Sequence, residues 1–122
     1  MKYVLDTNAV SALMKGDVRV IERLEQVGKN EVAVPQPTLA EIAYGIERLP
    51  RSRRRDCLQT RFDLLRQELL RAEWTDEVSE CYGTIKATLE KKGRRIEDFD
   101  AAIAAHALAR SLRGRNRGHG LK

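Results

Sequence analysis

Short apolar runs alternate with longer stretches of helical periodicity, and this alternation constrains the fold of the chain more than any other feature. The runs at residues 3–5 and 31–34 contain Tyr, Val and Leu and have the length of buried strands. A third non-helical segment, at residues 71–74, is a further strand candidate. Because parallel strands need a crossover between them, strands separated by helices predict an α/β fold, with helices covering a short parallel sheet.

Six helices are predicted from apolar residues that recur at spacings of three and four. Their starts and ends carry the expected signals: Pro37 opens the third helix, Thr75 caps the fifth, and Gly28 and Gly93 close helices. The predicted helices span residues 9–14, 18–27, 37–49, 51–70, 76–92 and 98–112.

The chain has the length of a single domain, and its hydrophobic fraction of 42% is that of a folded protein. Residues 1–112 are predicted to form that domain. Residues 113–122 are rich in Gly and Arg and lack helical periodicity, so they are predicted to be a disordered basic tail.

The net charge of +5 is concentrated at the carboxyl terminus. Five of the 23 basic residues lie in residues 110–122, which contain no acid, so the remaining 18 balance the 18 acids. A basic excess favours contact with nucleic acid, but here most of it belongs to the tail. No apolar run reaches the length of a membrane span, and no signal-peptide pattern is present. The chain is therefore expected to be cytoplasmic, with Cys57 and Cys81 as reduced, partly buried thiols.

Three acids occupy positions where a parallel sheet places functional groups. Asp6 follows the first strand, Glu41 lies early in the third helix among apolar neighbours, and Asp100 begins the Ala-rich sixth helix. Sites in such sheets form outside the carboxyl ends of the strands, and gathered carboxylates favour a hard divalent cation. Taken singly, each acid is explained better as a helix cap or a solvated residue, and spacing alone does not bring the three together.

Three segments in order resemble the signature segments of PIN-domain proteins of the VapC type. They read VLDTN at residues 4–8, TLAEIAYGI at 38–46 and GRRIEDFDAAIAAHA at 93–107, and the resemblance extends to about residue 110. It implies a three-layer α/β/α fold in which Asp6, Glu41 and Asp100 hold Mg²⁺ or Mn²⁺ and act in catalysis. It also implies a toxin endoribonuclease that cuts RNA, is inhibited by a VapB-like antitoxin, binds operator DNA only through that antitoxin, and forms homodimers.

The resemblance assigns lesser roles to other residues. Thr7 or Asn8 would help to orient the metal site through a side-chain oxygen, and Asp98 is a possible extra acid that ranks below Asp100. His106 lies six residues from Asp100, about 240° around a helix, so it is expected to face elsewhere and to serve in packing or hydrogen bonding.

The carboxyl terminus departs from the family pattern. The family continues after the sixth helix with a strand, a polar loop that carries a fourth site residue, and a last strand. In their place this chain has residues 107–112 and the basic tail. The first strand is therefore expected to keep an unpaired edge, which a partner chain could cover.

Two alternatives to an active ribonuclease follow from these features. The missing strand and acid suit a catalytically impaired PIN remnant that binds antitoxin or dimerises. The arginines Arg51, Arg53, Arg54 and Arg55 suit a nucleic-acid-binding module, although such charge runs are more often solvated surface. In a ribonuclease the same arginines are candidates for guiding RNA toward the acids.

Overall fold

The computed structural model describes the backbone of residues 2–120 and the side chains of residues 2–112. Three strands are present in this part of the chain: β1 (Tyr3–Val4), β2 (Val32–Pro35) and β3 (Leu70–Ala72). The α-helices are α1 (Thr7–Met14), α2 (Val18–Val27), α3 (Gln36–Glu47), α4 (Arg53–Glu68), α5 (Asp76–Lys91) and α6 (Asp98–Gly120), and a 3-10 turn spans Lys29–Glu31. None of the described helices has the length and apolar content of a membrane span.

The strands form one parallel sheet in the order β1-β2-β3. Tyr3 pairs with Val32, and Ala33 pairs with Leu70, so β2 is the central strand. All four residues of β2 are buried, as expected for a strand covered on both faces. The predicted α/β fold with a short parallel sheet is confirmed. Because the strands are parallel, their carboxyl ends share one edge of the sheet.

Helix ends follow the local signals in the sequence. The side chains of Asp6, Asp17, Ser52 and Thr75 accept hydrogen bonds from backbone N–H groups in the first turns of α1, α2, α4 and α5. Such caps satisfy donors that the helix itself leaves unpaired. Gly28 ends α2 with a φ of 93°, a conformation that residues with a Cβ rarely adopt.

Two apolar clusters anchor the helices. The larger cluster joins α1, α3 and α4 to the sheet around the fully buried Val10, Val34 and Phe62. The smaller cluster joins α5 to α6 through Val78, Cys81, Ala105 and Ala109. The small alanine side chains let α6 pack closely against α5.

Two predictions made from the sequence differ from the structure. Helix α6 does not end at Leu112 but continues to Gly120, because its arginines are good helix formers and no proline interrupts it. Nothing is described of the side chains beyond Leu112, or of residues 121 and 122, so the disorder of the tail stays a prediction. Both cysteines are free, but only Cys81 is buried; Cys57 is exposed on the solvent face of α4.

Strand β1 lies at an edge of the sheet. Within residues 2–120 no strand pairs with its outer side, in line with the expectation of an unpaired edge. Helix α6 lies beside this strand, and Val4 and Ile103 line the same cleft. The position of α6 therefore brings its first turns to the end of β1, where the candidate site lies.

Candidate active site

Asp6 leaves β1 and begins α1. Its Oδ1 accepts a hydrogen bond from the backbone N–H of Ala9 at 2.8 Å, and its carboxylate is exposed. The cap explains the local turn, but it occupies only one side of the carboxylate. Asp6 is therefore both a helix cap and a residue that lines a cleft, the two interpretations that the sequence left open.

Glu41 reaches the same place from α3. Its Oε1 accepts a hydrogen bond from the Thr7 hydroxyl, and the residue is half-buried. A second contact fixes the helix itself: the hydroxyl of the fully buried Thr38 donates to the backbone oxygen of Leu5 at 2.9 Å. This bond ties the start of α3 to the end of β1, and so sets Glu41 beside Asp6.

Thr38 is a functional residue that the sequence reasoning missed. Its role is not predicted from the sequence, because a threonine near a helix N-terminus is ordinarily a local cap. The signal that could have found it is its place in the second signature segment, three residues before Glu41.

Asp100 completes the group from the first turn of α6. A cleft of about 500 Å³ is lined by Asp6, Glu41 and Asp100 together with Thr7 and Asn8. Its apolar wall is formed by Val4, Ile103, Ala104 and Ala107. Three acids that are distant in the chain thus line one cleft, at the edge of the sheet where the strands end.

The donor set of this cleft suits a hard cation. Every polar side chain that lines it offers an oxygen, and no basic side chain lines it. The acids do not converge, however: among the described residues, no three His, Cys, Asp or Glu side chains stand close enough to form a ready metal site. Instead, the Asp6 carboxylate accepts a hydrogen bond from the Ala9 N–H, and the Glu41 carboxylate accepts one from the Thr7 hydroxyl. The oxygen donors of these residues therefore suit Mg²⁺ or Mn²⁺ by their chemistry.

Asp98 does not line the cleft. It accepts hydrogen bonds from Lys86 and from the Tyr82 hydroxyl on α5, the latter at 3.3 Å. The Lys86 ammonium lowers the pKa of the Asp98 carboxyl, and Asp98 in turn raises the pKa of Lys86. The structure therefore places Asp98 in a contact between helices, away from the other predicted acids.

The four candidate arginines are not equivalent. Arg55 donates to the backbone oxygen of Leu49 at 3.1 Å and to Glu47 at 2.9 Å, so it closes the turn between α3 and α4. Arg54 lines a depression of about 300 Å³ that also includes Thr7, Glu41 and Lys15. Arg51 and Arg53 are exposed. Arg54 and Lys15 are thus the cations that adjoin the acidic cleft.

His106 faces away from the acids, as its position on the helix predicted. Its side chain is 1% exposed, and its ring meets the Trp74 ring edge-on at 5.3 Å. Burial lowers the pKa of His106, and the nearby Arg110 guanidinium lowers it further. This histidine is a packing residue and has no place in the cleft.

Comparison with known proteins identifies the family of this chain. A family model described as the PIN domain matches residues 3–113, which is nearly the whole chain. The chain belongs to the PIN domain family. Ribonuclease VapC2 from Rickettsia felis is 32% identical to this PIN protein over 111 residues, 89% of this chain and 81% of that relative. Ribonuclease VapC2 from Haemophilus influenzae is 34% identical over 114 residues, which are 92% of this chain and 83% of the relative.

A solved structure shares the fold. The crystal structure of VapBC2 from Rickettsia felis, bound to a DNA fragment from its promoter, matches with a TM-score of 0.79 and 29% identity. The match covers 91% of this chain and 83% of that chain. The resemblance to VapC-type PIN proteins, and with it the PIN-like α/β fold, is confirmed.

Proposed function

We propose that this VapC-type PIN protein is the toxin of a type II toxin–antitoxin system and a metal-dependent endoribonuclease. The observation that carries the proposal is that Asp6, Glu41 and Asp100 line the same cleft, in a chain whose relatives are named ribonucleases. The reaction is hydrolysis of an RNA phosphodiester bond, and the chain acts in the cytoplasm, where its substrate lies.

Asp6, Glu41 and Asp100 would hold the divalent ion, Mg²⁺ or Mn²⁺. Such an ion, when bound, lowers the pKa of water and offsets negative charge on a phosphate. The Thr7 hydroxyl orients Glu41, and the Ala9 N–H orients Asp6. Asn8 lines the same cleft and offers a neutral oxygen or N–H to the substrate.

Arg54 and Lys15 suit the approach of RNA. An acidic cleft repels phosphate, whereas cations at its margin attract the RNA backbone. Both side chains line the depression that continues from Thr7 and Glu41, so they adjoin the acids without lying among them. Arg51 and Arg53, which are exposed, extend this basic margin.

The partners follow from the relatives. The Rickettsia felis structure is a VapBC complex bound to promoter DNA. We propose that this chain likewise binds a VapB-like antitoxin encoded with it, reaches operator DNA only through that antitoxin, and forms a homodimer.

Purified protein tests the activity directly. Total RNA is incubated with Mn²⁺ or Mg²⁺, beside an EDTA control and the variants Asp6→Asn and Asp100→Asn. We expect metal-dependent cleavage that both variants lose by about 100-fold or more, since metal ligands and charge stabilisation supply several kcal/mol to such reactions. Cleavage that survives in EDTA or in Asp6→Asn would refute the proposed site.

An impaired PIN remnant is the second candidate. It is favoured by the lack of a ready three-acid metal site in the part of the chain that the structure describes. A folded sample that binds antitoxin but cuts no RNA with either metal would support this candidate instead.

A further inference from the structure

A second groove adjoins the acidic cleft. It has a volume of about 610 Å³ and lies between the start of α3, the end of α4, the β3–α5 connection and the start of α6. Ala40 and Phe99 line this groove and immediately precede Glu41 and Asp100, which line the cleft. The two depressions are therefore separated by little more than one residue on each of two helices.

Two exposed aromatic rings line the groove. Trp74 is 47% exposed and Phe99 is 46% exposed, in a chain with only six aromatic residues. Contact of such large apolar rings with water is unfavourable, and exposed rings that share one depression indicate a binding surface. Among the depressions that the described residues line, this groove alone contains two exposed aromatic rings.

The Trp74 ring is held in place from behind. Its Nε1 donates to the Ser79 hydroxyl at 2.6 Å, the buried His106 packs edge-on against it, and the tilted Tyr82 ring lies 6.2 Å away. These contacts fix the ring while leaving about half of the residue open to solvent. A fixed ring loses little conformational entropy when a flat ligand stacks on it. His106 is thus a positioning residue for Trp74.

The charge of the groove complements a phosphate. Arg66 and Arg71 line it, and no acidic side chain does. Arg66 pairs with Asp63 and lies 4.3 Å above the Phe62 ring, so its charge is partly compensated. Arg71 donates to the backbone oxygen of Arg66 at 3.0 Å and has no ion pair among the described residues. Arg71 therefore carries the free positive charge of this groove.

We propose that this groove is a base-stacking subsite for single-stranded RNA. A base next to the scissile phosphate stacks on Trp74 and Phe99, and a flanking phosphate contacts Arg71. Aromatic rings beside a basic backbone track are how proteins hold unpaired nucleotides. The proposal rests on the ribonuclease function proposed above, and it accounts for how a cleft of three acids retains a polyanion.

A second copy of the chain fits the groove less well. In a symmetric dimer the same patch meets itself, so both copies' arginines would gather at one contact. Asp63 compensates only the Arg66 charge, and Arg71 has no ion pair among the described residues, so unpaired charge would be buried at such an interface, which is costly. Single-stranded RNA instead supplies both the flat apolar surface and the negative charge.

Trp74 is the only tryptophan, so its fluorescence reports on the groove directly. The test titrates a short single-stranded RNA into Asp6→Asn protein in EDTA, which separates binding from cleavage. We expect quenching of the Trp74 emission. In a second series of RNAs, each lacks the base at a different position. The RNA that lacks the base next to the cleavage site is expected to bind more weakly than the others.

Phe99→Ala and Trp74→Leu, each made in the Asp6→Asn background, should weaken RNA binding by about 5-fold to 100-fold, the range for loss of one stacked base. These affinities are measured by the anisotropy of a fluorescently labelled RNA, because the Trp74 variants contain no tryptophan. Trp74→Phe should restore most of the affinity. The matched control is Tyr44→Ala, which removes a 66% exposed ring outside the groove and should change affinity by less than about twofold. Thermal unfolding of each variant verifies that the fold is kept.

Equal affinities in Phe99→Ala, Trp74→Leu and Tyr44→Ala would overturn the proposal. The proposal would also be overturned if Phe99→Ala or Trp74→Leu converted a dimer to a monomer in sedimentation without changing the RNA affinity. The groove would then be a subunit interface. The proposed ribonuclease function fails separately, through absent or metal-independent cleavage by the wild-type protein. If the groove variants changed neither RNA cleavage nor RNA affinity, the subsite proposal would be wrong and the proposed ribonuclease function would still stand.

Discussion

Thr7 orients one of the acids that line the cleft. Its hydroxyl donates to the Glu41 carboxylate across 34 residues of sequence, while its backbone begins α1. The family resemblance implies that Thr7 or Asn8 helps to orient the metal site through a side-chain oxygen. The structure shows the hydroxyl acting on Glu41, which holds that carboxylate in one orientation.

Thr7→Val removes this hydrogen bond and preserves the side-chain shape. We expect metal affinity or cleavage rate to fall by about 10-fold to 100-fold, the usual effect of losing a group that orients a metal ligand. A titration of activity with Mn²⁺ measures this. Thr7→Ser keeps a hydroxyl and should stay near the wild-type level; equal activity of Thr7→Val and wild type would contradict the role of the bond.

His106 should make stability depend on pH. Burial holds its folded pKa below the ordinary 6.5, and the Arg110 guanidinium acts in the same direction. Arg71 and Glu73, which line the same small cavity, add one further charge of each sign. The unfolded chain therefore binds a proton more readily than the folded chain. Stability from the neutral ring is present above pH 6.5 and is lost as pH falls from there toward the folded pKa.

The variant His106→Gln cannot titrate in this range. Between about pH 7 and pH 5, the wild-type protein should lose more free energy of unfolding than this variant does. Urea unfolding at several pH values measures both. Parallel pH profiles for the two proteins would show that His106 is not buried in its neutral form.

At the scale of the elements, α6 separates two acids that are neighbours in sequence. Asp98 and Asp100 are two positions apart, about 200° around the helix. Asp100 therefore lines the cleft, whereas Asp98 contacts Lys86 and Tyr82 on α5. The ranking of Asp100 above Asp98, made from the family resemblance, agrees with this geometry.

Asp98→Asn and Asp100→Asn form a matched pair of variants on one helix. Asp98→Asn should leave RNA cleavage within about twofold of wild type, as for most exposed substitutions away from a site. Asp100→Asn should reduce cleavage by about 100-fold or more, since it removes a charge from the proposed metal site. Initial rates on one RNA substrate compare them, and a large loss in Asp98→Asn would place that acid in the mechanism.

At the scale of the whole molecule, charges of opposite sign adjoin one another. Among the described residues, no basic side chain lines the acidic cleft, whereas Arg54 and Lys15 line the neighbouring depression. The net charge of +5 is thus not a uniform field, and its local arrangement decides where RNA phosphates approach.

Reversing Arg51, Arg53 and Arg54 to Glu should weaken RNA binding and flatten its dependence on salt. Each lost phosphate contact lowers the slope of log affinity against log salt by about 0.7 for single-stranded RNA. Reversal of Lys91, Lys92 and Arg94, three exposed cations around the end of α5, is the control with the same change in net charge. An equal slope in the two variants would show that only net charge matters.

Local signals in the sequence predict the helices and strands, and the order of the motifs predicts the family. Strands, helices and their caps depend on local periodicity and on residues such as Asp6, Thr75 and Gly28, which act within one turn of the chain. The motif order around Asp6, Glu41 and Asp100 also predicted the candidate acids. The end of α6 was misjudged because arginine favours a helix even where periodicity fades.

The contacts between side chains of different elements are seen only in the folded structure. The bond from Thr38 to Leu5, the use of Arg55 in a turn, and the shared groove of Trp74 and Phe99 all join residues from different elements or depend on how those elements pack. Such contacts depend on the direction of each side chain after packing, and sequence spacing carries no information on direction between elements. The physical reason is that local preferences form each element, whereas burial of the shared core sets their positions relative to one another.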